Sequence, residues 1–178
     1  VELFFDEIVL VESSFEKVII SPPQKTAPTI KALGKKVKVQ LRDSLLPNTT
    51  YTIDFTDAIV DNNERNKLDG FTFCFATGDH IDSLKISGFV VDAQSLNPVP
   101  GILVGVHSNL DDTAFTKIPF NRITKTNSRG EFTISNIAEG TYKIFALSDI
   151  GSNYFFDIPT EQIGFIDSLF IPQCSVSI

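Results

Sequence analysis

Five short stretches of this chain place apolar residues at every second position: Val37/Val39/Leu41, Tyr51/Ile53/Phe55, Phe71/Phe73/Phe75, Ile102/Val104/Val106 and Tyr142/Ile144/Ala146. Side chains alternate across a strand, so each set lies on one face of an extended segment, a pattern that does not fit a helix. Between the runs stand turn formers: Gly34, Asp61-Asn62-Asn63, Asn97-Pro98, Asn127-Ser128-Arg129-Gly130 and Gly151-Ser152-Asn153. Short strands spaced about 8 to 12 residues apart, with such turns between them, predict a sandwich or barrel. The apolar content agrees: 16 Phe and many Ile and Val, with neither Trp nor Met, fit a pleated, half-buried surface.

A polar segment, Thr77-Gly78-Asp79-His80-Ile81-Asp82-Ser83-Leu84, separates the strand at 71–77 from the next strand-like run at 85–91. It predicts two all-β domains: residues 1–79, a linker at 80–84, and residues 85–178, the second carrying a C-terminal extension. The fold class is two tandem antiparallel β-sandwiches.

One local pattern occurs twice. Leu46 stands five residues before Tyr51, and Ile137 five residues before Tyr142, each pair spanning a turn and followed by an alternating strand. This spacing predicts two tyrosine corners, in which the hydroxyl bonds to backbone a few residues upstream while the ring fills the core. Tyr51 and Tyr142 are therefore read as structural.

Charge bears on partners. The net charge is −7, whereas nucleic-acid binding needs Lys and Arg to displace counterions from phosphate, so a nucleic-acid partner is not expected. Lys31, Lys35, Lys36, Lys38 and Arg42 do cluster, but their alternation with Val37, Val39 and Leu41 reads as the solvent face of one strand. No apolar run approaches the roughly 20 residues of a membrane-spanning helix. The absence of Met is expected of a chain whose natural start, with any targeting signal, lies upstream. Cys74 and Cys174 form no disulfide framework at that separation and are read as free thiols, Cys74 at a buried or half-buried strand position.

The search for chemistry is mostly negative. No Gly-x-Ser-x-Gly motif occurs, and no Cys stands near a plausible His partner. His80 in the linker and His107 at a strand end are lone imidazoles, and two His with two distant Cys do not make a zinc site. Asp6-Glu7, Asp54/Asp57 and Asp111-Asp112 are paired carboxylates, but a glycosidase also needs a cleft between them. No enzyme activity, catalytic residue or cofactor is expected. The one candidate metal is weakly bound calcium, which takes oxygen ligands from loops. Asp149, Asn153 and Asp157 space such donors in one loop, and Asp61, Asn63 and Asp69 do so in another. The competing reading is that Asp and Asn there simply fill turns.

Tyr154, Phe155 and Phe156 form the candidate contact surface, since three consecutive rings on a strand cannot all point inward. An outward ring would stack on a sugar or dock a partner; alternatively it packs beneath residues 163–171. Val1 and the terminal residues 175–178 are candidate edge strands, able to accept a strand from a partner.

Several motifs carry a family resemblance. Leu3-Phe4-Phe5-Asp6-Glu7, Ile20-Ser21-Pro22-Pro23, Leu46-Pro47-Asn48-Thr49-Thr50-Tyr51 and Phe73-Cys74-Phe75-Ala76-Thr77-Gly78 together resemble the bacterial Ig-like domain of the S-layer type. The family's Asp-x-x-Gly-Asn turn is altered here to Asp61-Asn62-Asn63-Glu64-Arg65-Asn66. Residues 86–149 look like the carboxypeptidase regulatory-like module, a transthyretin-like sandwich. That likeness rests on Ile86-Ser87-Gly88-Phe89, Pro98-Val99-Pro100-Gly101, Thr126-Asn127-Ser128-Arg129-Gly130 and Ile137-Ala138-Glu139-Gly140-Thr141-Tyr142. The order of the two modules is similar to that of envelope lipoproteins of Bacteroidetes-type bacteria. The resemblance implies an exported protein of the periplasm or outer-membrane surface of a Gram-negative cell, lipid-anchored upstream. Its expected role is that of a non-enzymatic spacer or interaction module whose partner is a protein or glycan at the cell surface. The alternative is a carbohydrate- or peptide-binding accessory module of a surface hydrolase or transporter system.

Overall fold

The structure is a computed structural model that describes residues 1–173. Cys174 and the candidate edge strand at 175–178 lie outside the described residues. The chain divides into two compact units, residues 1–20 with 24–79, and residues 80–178 with the short segment 21–23.

The first unit contains strands β1 (Glu2–Phe4), β2 (Val9–Val11), β3 (Ile19–Ser21, all but its last residue), β4 (Thr29–Leu33), β5 (Lys36–Gln40), β6 (Thr50–Asp54), β7 (Ile59–Asp61) and β8 (Thr72–Ala76), with one helical turn α1 (Ser14–Lys17). They form three sheets, ordered β1-β5-β4, β2-β7 and β3-β6-β8. Strands β4 and β5 make a hairpin about Gly34, whose φ of 63° suits a residue without a side chain. Alternation sends Leu3, Val37 and Val39 inward to meet Ile53, Phe55 and Ile59 in one apolar core. Phe71, Phe73 and Phe75 pack on that core from a partly exposed position.

The second unit contains β9 (Leu84–Phe89), β10 (Leu103–His107), β11 (Arg122–Lys125), β12 (Glu131–Ile137), β13 (Lys143–Leu147) and β14 (Ile163–Phe165). Their sheets are ordered β11-β10-β13-β14 and β12-β9, and the pairings within them are antiparallel. Ile86, Phe132 and Ile134 from the smaller sheet face Val104, Val106, Ile144 and Ala146 from the larger. Strand β12 breaks register between Ile134 and Ile137, where Asn136 takes a φ of 58°. Arg122 Nε donates to the Asn136 carbonyl at 3.0 Å, and Asn136 Nδ2 donates to the Asp82 carbonyl at 2.8 Å, so the buried Arg122 and the half-buried Asn136 hold the irregularity.

Strand β10 is buried on both faces. Val104 and Val106 enter the inter-sheet core, while Gly105 and His107 lie on the opposite face beneath Phe120 and Phe145. A second apolar layer therefore covers the outside of this sheet.

Three sequence expectations need correction. The basic cluster spans two strands and their turn, because Lys31 belongs to β4 while Lys36 and Lys38 belong to β5. Cys74 is exposed: Phe73 and Phe75 take the core side of β8, and alternation turns Cys74 the other way. Residues 154–156 form an irregular loop, with Tyr154 at φ 66°. Val1 extends β1, the edge strand of its sheet, its ammonium donating to the Val39 carbonyl at 2.8 Å and its own carbonyl accepting the Val39 N–H at 2.9 Å.

Candidate functional site

Tyr51 and Tyr142 both begin core strands, and each hydroxyl reaches upstream backbone. The Leu46 N–H donates to Tyr51 Oη at 2.9 Å, five residues apart, and the Tyr51 ring stacks on Phe75 with centroids 5.4 Å apart. Tyr142 Oη instead donates to the Ala138 carbonyl at 3.2 Å, four residues upstream. The two hydroxyls therefore act with opposite polarity, one as acceptor and one as donor. Gly140 lies under the second ring, where a Cβ would stand 3.4 Å from the hydroxyl oxygen.

The loop after β7 is organised by one carboxylate. Asp61 Oδ1 accepts the N–H groups of Asn63 at 2.8 Å and Glu64 at 2.7 Å, and Oδ2 accepts that of Asn66 at 2.8 Å. These donors, the Glu64 N–H foremost, hold its carboxyl below the usual aspartate range. Asn66 Nδ2 then donates to Glu64 Oε2 at 2.8 Å. Asn63 and Asp69 add no side-chain hydrogen bond to this cluster among the described residues.

The loop after β13 uses two carboxylates. Asp149 accepts the N–H of Asn153 on Oδ1 at 3.1 Å and that of Tyr154 on Oδ2 at 2.9 Å. Asn153 Nδ2 donates to Asp157 Oδ2 at 2.8 Å, which brings Asp149, Asn153 and Asp157 into one network. Glu161, which has no signature in the sequence, anchors the other side. Its Oε1 accepts the N–H groups of Ile150 at 3.0 Å and Gly151 at 3.3 Å, and its Oε2 those of Asp157 at 3.2 Å and Ile158 at 3.4 Å. Glu161 is only 5% exposed. Burial alone would raise its carboxyl, but the four N–H donors outweigh burial and hold it below the ordinary glutamate value.

Asp61 in the first loop, and Asp149 and Asn153 in the second, already accept backbone N–H groups. An ion at either place would have to displace those donors. Among the described residues, no group of three or more His, Cys, Asp or Glu side chains is arranged to hold a metal ion.

Tyr154, Phe155 and Phe156 are each half-buried. Phe156 packs edge-on against Phe115 at 5.8 Å, and its N–H donates to the Phe115 carbonyl at 3.3 Å, so its ring is held by the segment after β10. Phe115 in turn contacts Phe145 at 5.0 Å. His107 lies in the same layer, with Phe120 at 4.6 Å and Phe145 at 5.9 Å. It is fully buried, and neither ring nitrogen has a hydrogen-bond partner. Burial pushes its pKa down to about 4, so the ring is neutral at physiological pH.

The other carboxylate pairs are divided among structural contacts. Asp57 bridges Lys67 at 2.6 Å and Lys17 at 3.0 Å, Asp111 accepts the Thr113 N–H at 2.8 Å, and Asp112 pairs with Lys143. Burial raises Asp54 above the usual aspartate value, opposed by the Thr56 N–H. His80 is exposed.

Residues 1–77 match the family model described as bacterial Ig-like domain. No curated protein and no solved structure matches the chain. The first unit is thus similar to a generic structural or interaction module of β-sandwich fold.

Proposed function

We propose that this chain is a non-catalytic spacer and interaction segment of a bacterial cell-envelope protein, exported and lipid-anchored through sequence upstream. The observation that carries this reading is the use made of polar loop side chains. Asp61, Asp149 and Glu161 each hold their own loop closed through two or more backbone N–H bonds. A carboxylate engaged in this way is oriented toward its own backbone, which suits rigidity and suits general acid–base work poorly. The likeness of residues 1–77 to the bacterial Ig-like domain supports a surface location, since such domains commonly stand in extracellular or surface proteins.

The second unit is read as a carboxypeptidase regulatory-like sandwich. Its support is the two-sheet antiparallel arrangement closed by the Tyr142 corner. The accessory-module reading, with Tyr154, Phe155 and Phe156 as the contact, is less favoured because Phe156 is already committed to Phe115.

A replacement experiment tests the proposal. In the full-length parent protein, residues 1–178 are exchanged for an unrelated pair of rigid sandwiches of equal length. Retained surface display and function support a spacer. Loss of function with intact display would show that this segment itself carries the activity.

A further inference from the structure

The outer face of the β1-β5-β4 sheet differs in charge from the rest of the chain. Strand pairing sets Lys31 of β4 directly opposite Lys38 of β5, with Glu2 of β1 on the far side of Lys38. The adjacent row places Phe4, Lys36 and Leu33 side by side. Arg42 follows on the same face, its guanidinium donating to Thr29 Oγ1 at 2.7 and 3.1 Å.

Like charges directly opposite one another destabilise a sheet. Glu2 offsets only part of this charge, lying 3.2 Å from Lys36 and 3.7 Å from Lys38, while Lys31 makes no ion pair among the described residues. Three lysines and an arginine against one glutamate leave a cationic face on a chain whose net charge is −7. The face also exposes apolar surface, since Phe4 is 75% and Leu33 is 53% exposed. Lys36 Nζ stands 5.7 Å from the centre of the Phe4 ring. A sheet fixes such positions about 5 Å apart across strands and about 7 Å apart along them. The result is a flat array of cations beside an aromatic ring.

We propose that this face binds a carboxylated polysaccharide, with Lys31, Lys36, Lys38 and Arg42 meeting its carboxylates and Phe4 stacking on a sugar ring. Charge complementarity selects an anion, and the exposed ring selects a partner with a flat apolar face. The acidic remainder of the chain selects against a densely charged one. Nucleic acid carries one charge per about 1.7 Å of duplex and would be repelled beyond the few cations available. A uronate chain, with its charges spread one to a sugar or fewer, is not. This inference is independent of the spacer reading and stands if that reading fails.

The test is affinity electrophoresis of the full chain in gels containing polygalacturonate, neutral dextran or an oligothymidylate, repeated at rising salt. The expected result is retardation by polygalacturonate that weakens with salt, none by dextran, and weaker retardation by the oligonucleotide. Lys31→Gln with Lys38→Gln should lower the polygalacturonate affinity by about tenfold or more. Phe4→Ser serves as a second variant should the first fail to fold; it should lower the affinity several-fold while leaving melting unchanged. No retardation at low salt, unchanged affinity in a folded variant, or equal or tighter binding of the oligonucleotide would each overturn the proposal.

Discussion

The Leu46 N–H donates to the Tyr51 hydroxyl across 2.9 Å, closing the turn that leads into β6. Tyr51 is 1% exposed, so its hydroxyl has little access to water as a replacement partner. Tyr51→Phe is expected to destabilise the first unit by about 1 kcal/mol, the usual net value of one such bond. Tyr142→Phe should cost the second unit a similar amount, because its donor role to Ala138 is lost in the same way. Denaturant midpoints equal to those of the parent chain in both variants would remove the corner interpretation.

Glu161 gathers four backbone N–H groups from residues 150 to 158. Glu161→Ala should open this loop, because four N–H groups lose their shared charged acceptor. Faster proteolytic cleavage within residues 149–161 is the expected signature. Glu161→Gln, which keeps one acceptor oxygen, should fall between the two.

Gly105 sits against the face of Phe120, and a Cβ built there would lie 2.4 Å from the ring. Gly105→Ala should therefore destabilise the second unit by about 1 to 3 kcal/mol through overpacking. The companion change Phe120→Leu should recover part of that loss. Thermal melting of the single and double variants reads the coupling between the two positions.

His107 gives the second unit a defined acid sensitivity. Its folded pKa is lowered from 6.5 to about 4, so the unfolded chain takes up the proton first as pH falls. The stability associated with the neutral ring is complete above 6.5 and is lost progressively as pH falls toward 4. The total loss is about 3 kcal/mol. His107→Leu should flatten this part of the profile, measured as urea midpoints between about pH 7 and pH 4. Parallel profiles for the two proteins would contradict the assignment.

The strands were legible wherever one face is buried and the other wet. Val37 and Val39 point inward while Lys36 and Lys38 point outward, and the alternation can be read directly from the letters. That same rule misleads at β10, where Leu103, Gly105 and His107 are buried as fully as Val104 and Val106. The second apolar layer comes from Phe115, in a single 3-10 turn, and from Phe120 and Phe156, in irregular segments, none with a period to betray it.

The corner tyrosines were legible because the hydroxyl's partner is local, although spacing did not distinguish donor from acceptor. Glu161 was hidden for a related reason. Its partners lie 3 to 11 residues back in an aperiodic loop, and nothing in the letters separates a carboxylate that accepts N–H groups from one that faces solvent. The Asp61 and Asp149 loops were found by their composition, but composition cannot say whether an oxygen awaits a metal or already holds a turn.

The central claim is that the polar groups of these loops fold the loops, and native-state amide hydrogen exchange tests it most directly. Protection is expected at Ile150, Gly151, Asp157 and Ile158, whose N–H groups meet Glu161, and at Asn63, Glu64 and Asn66, whose N–H groups meet Asp61. In Glu161→Gln the first set should lose protection while the second keeps it. Exchange of both sets at the rate of an unstructured peptide in the parent chain would contradict the account.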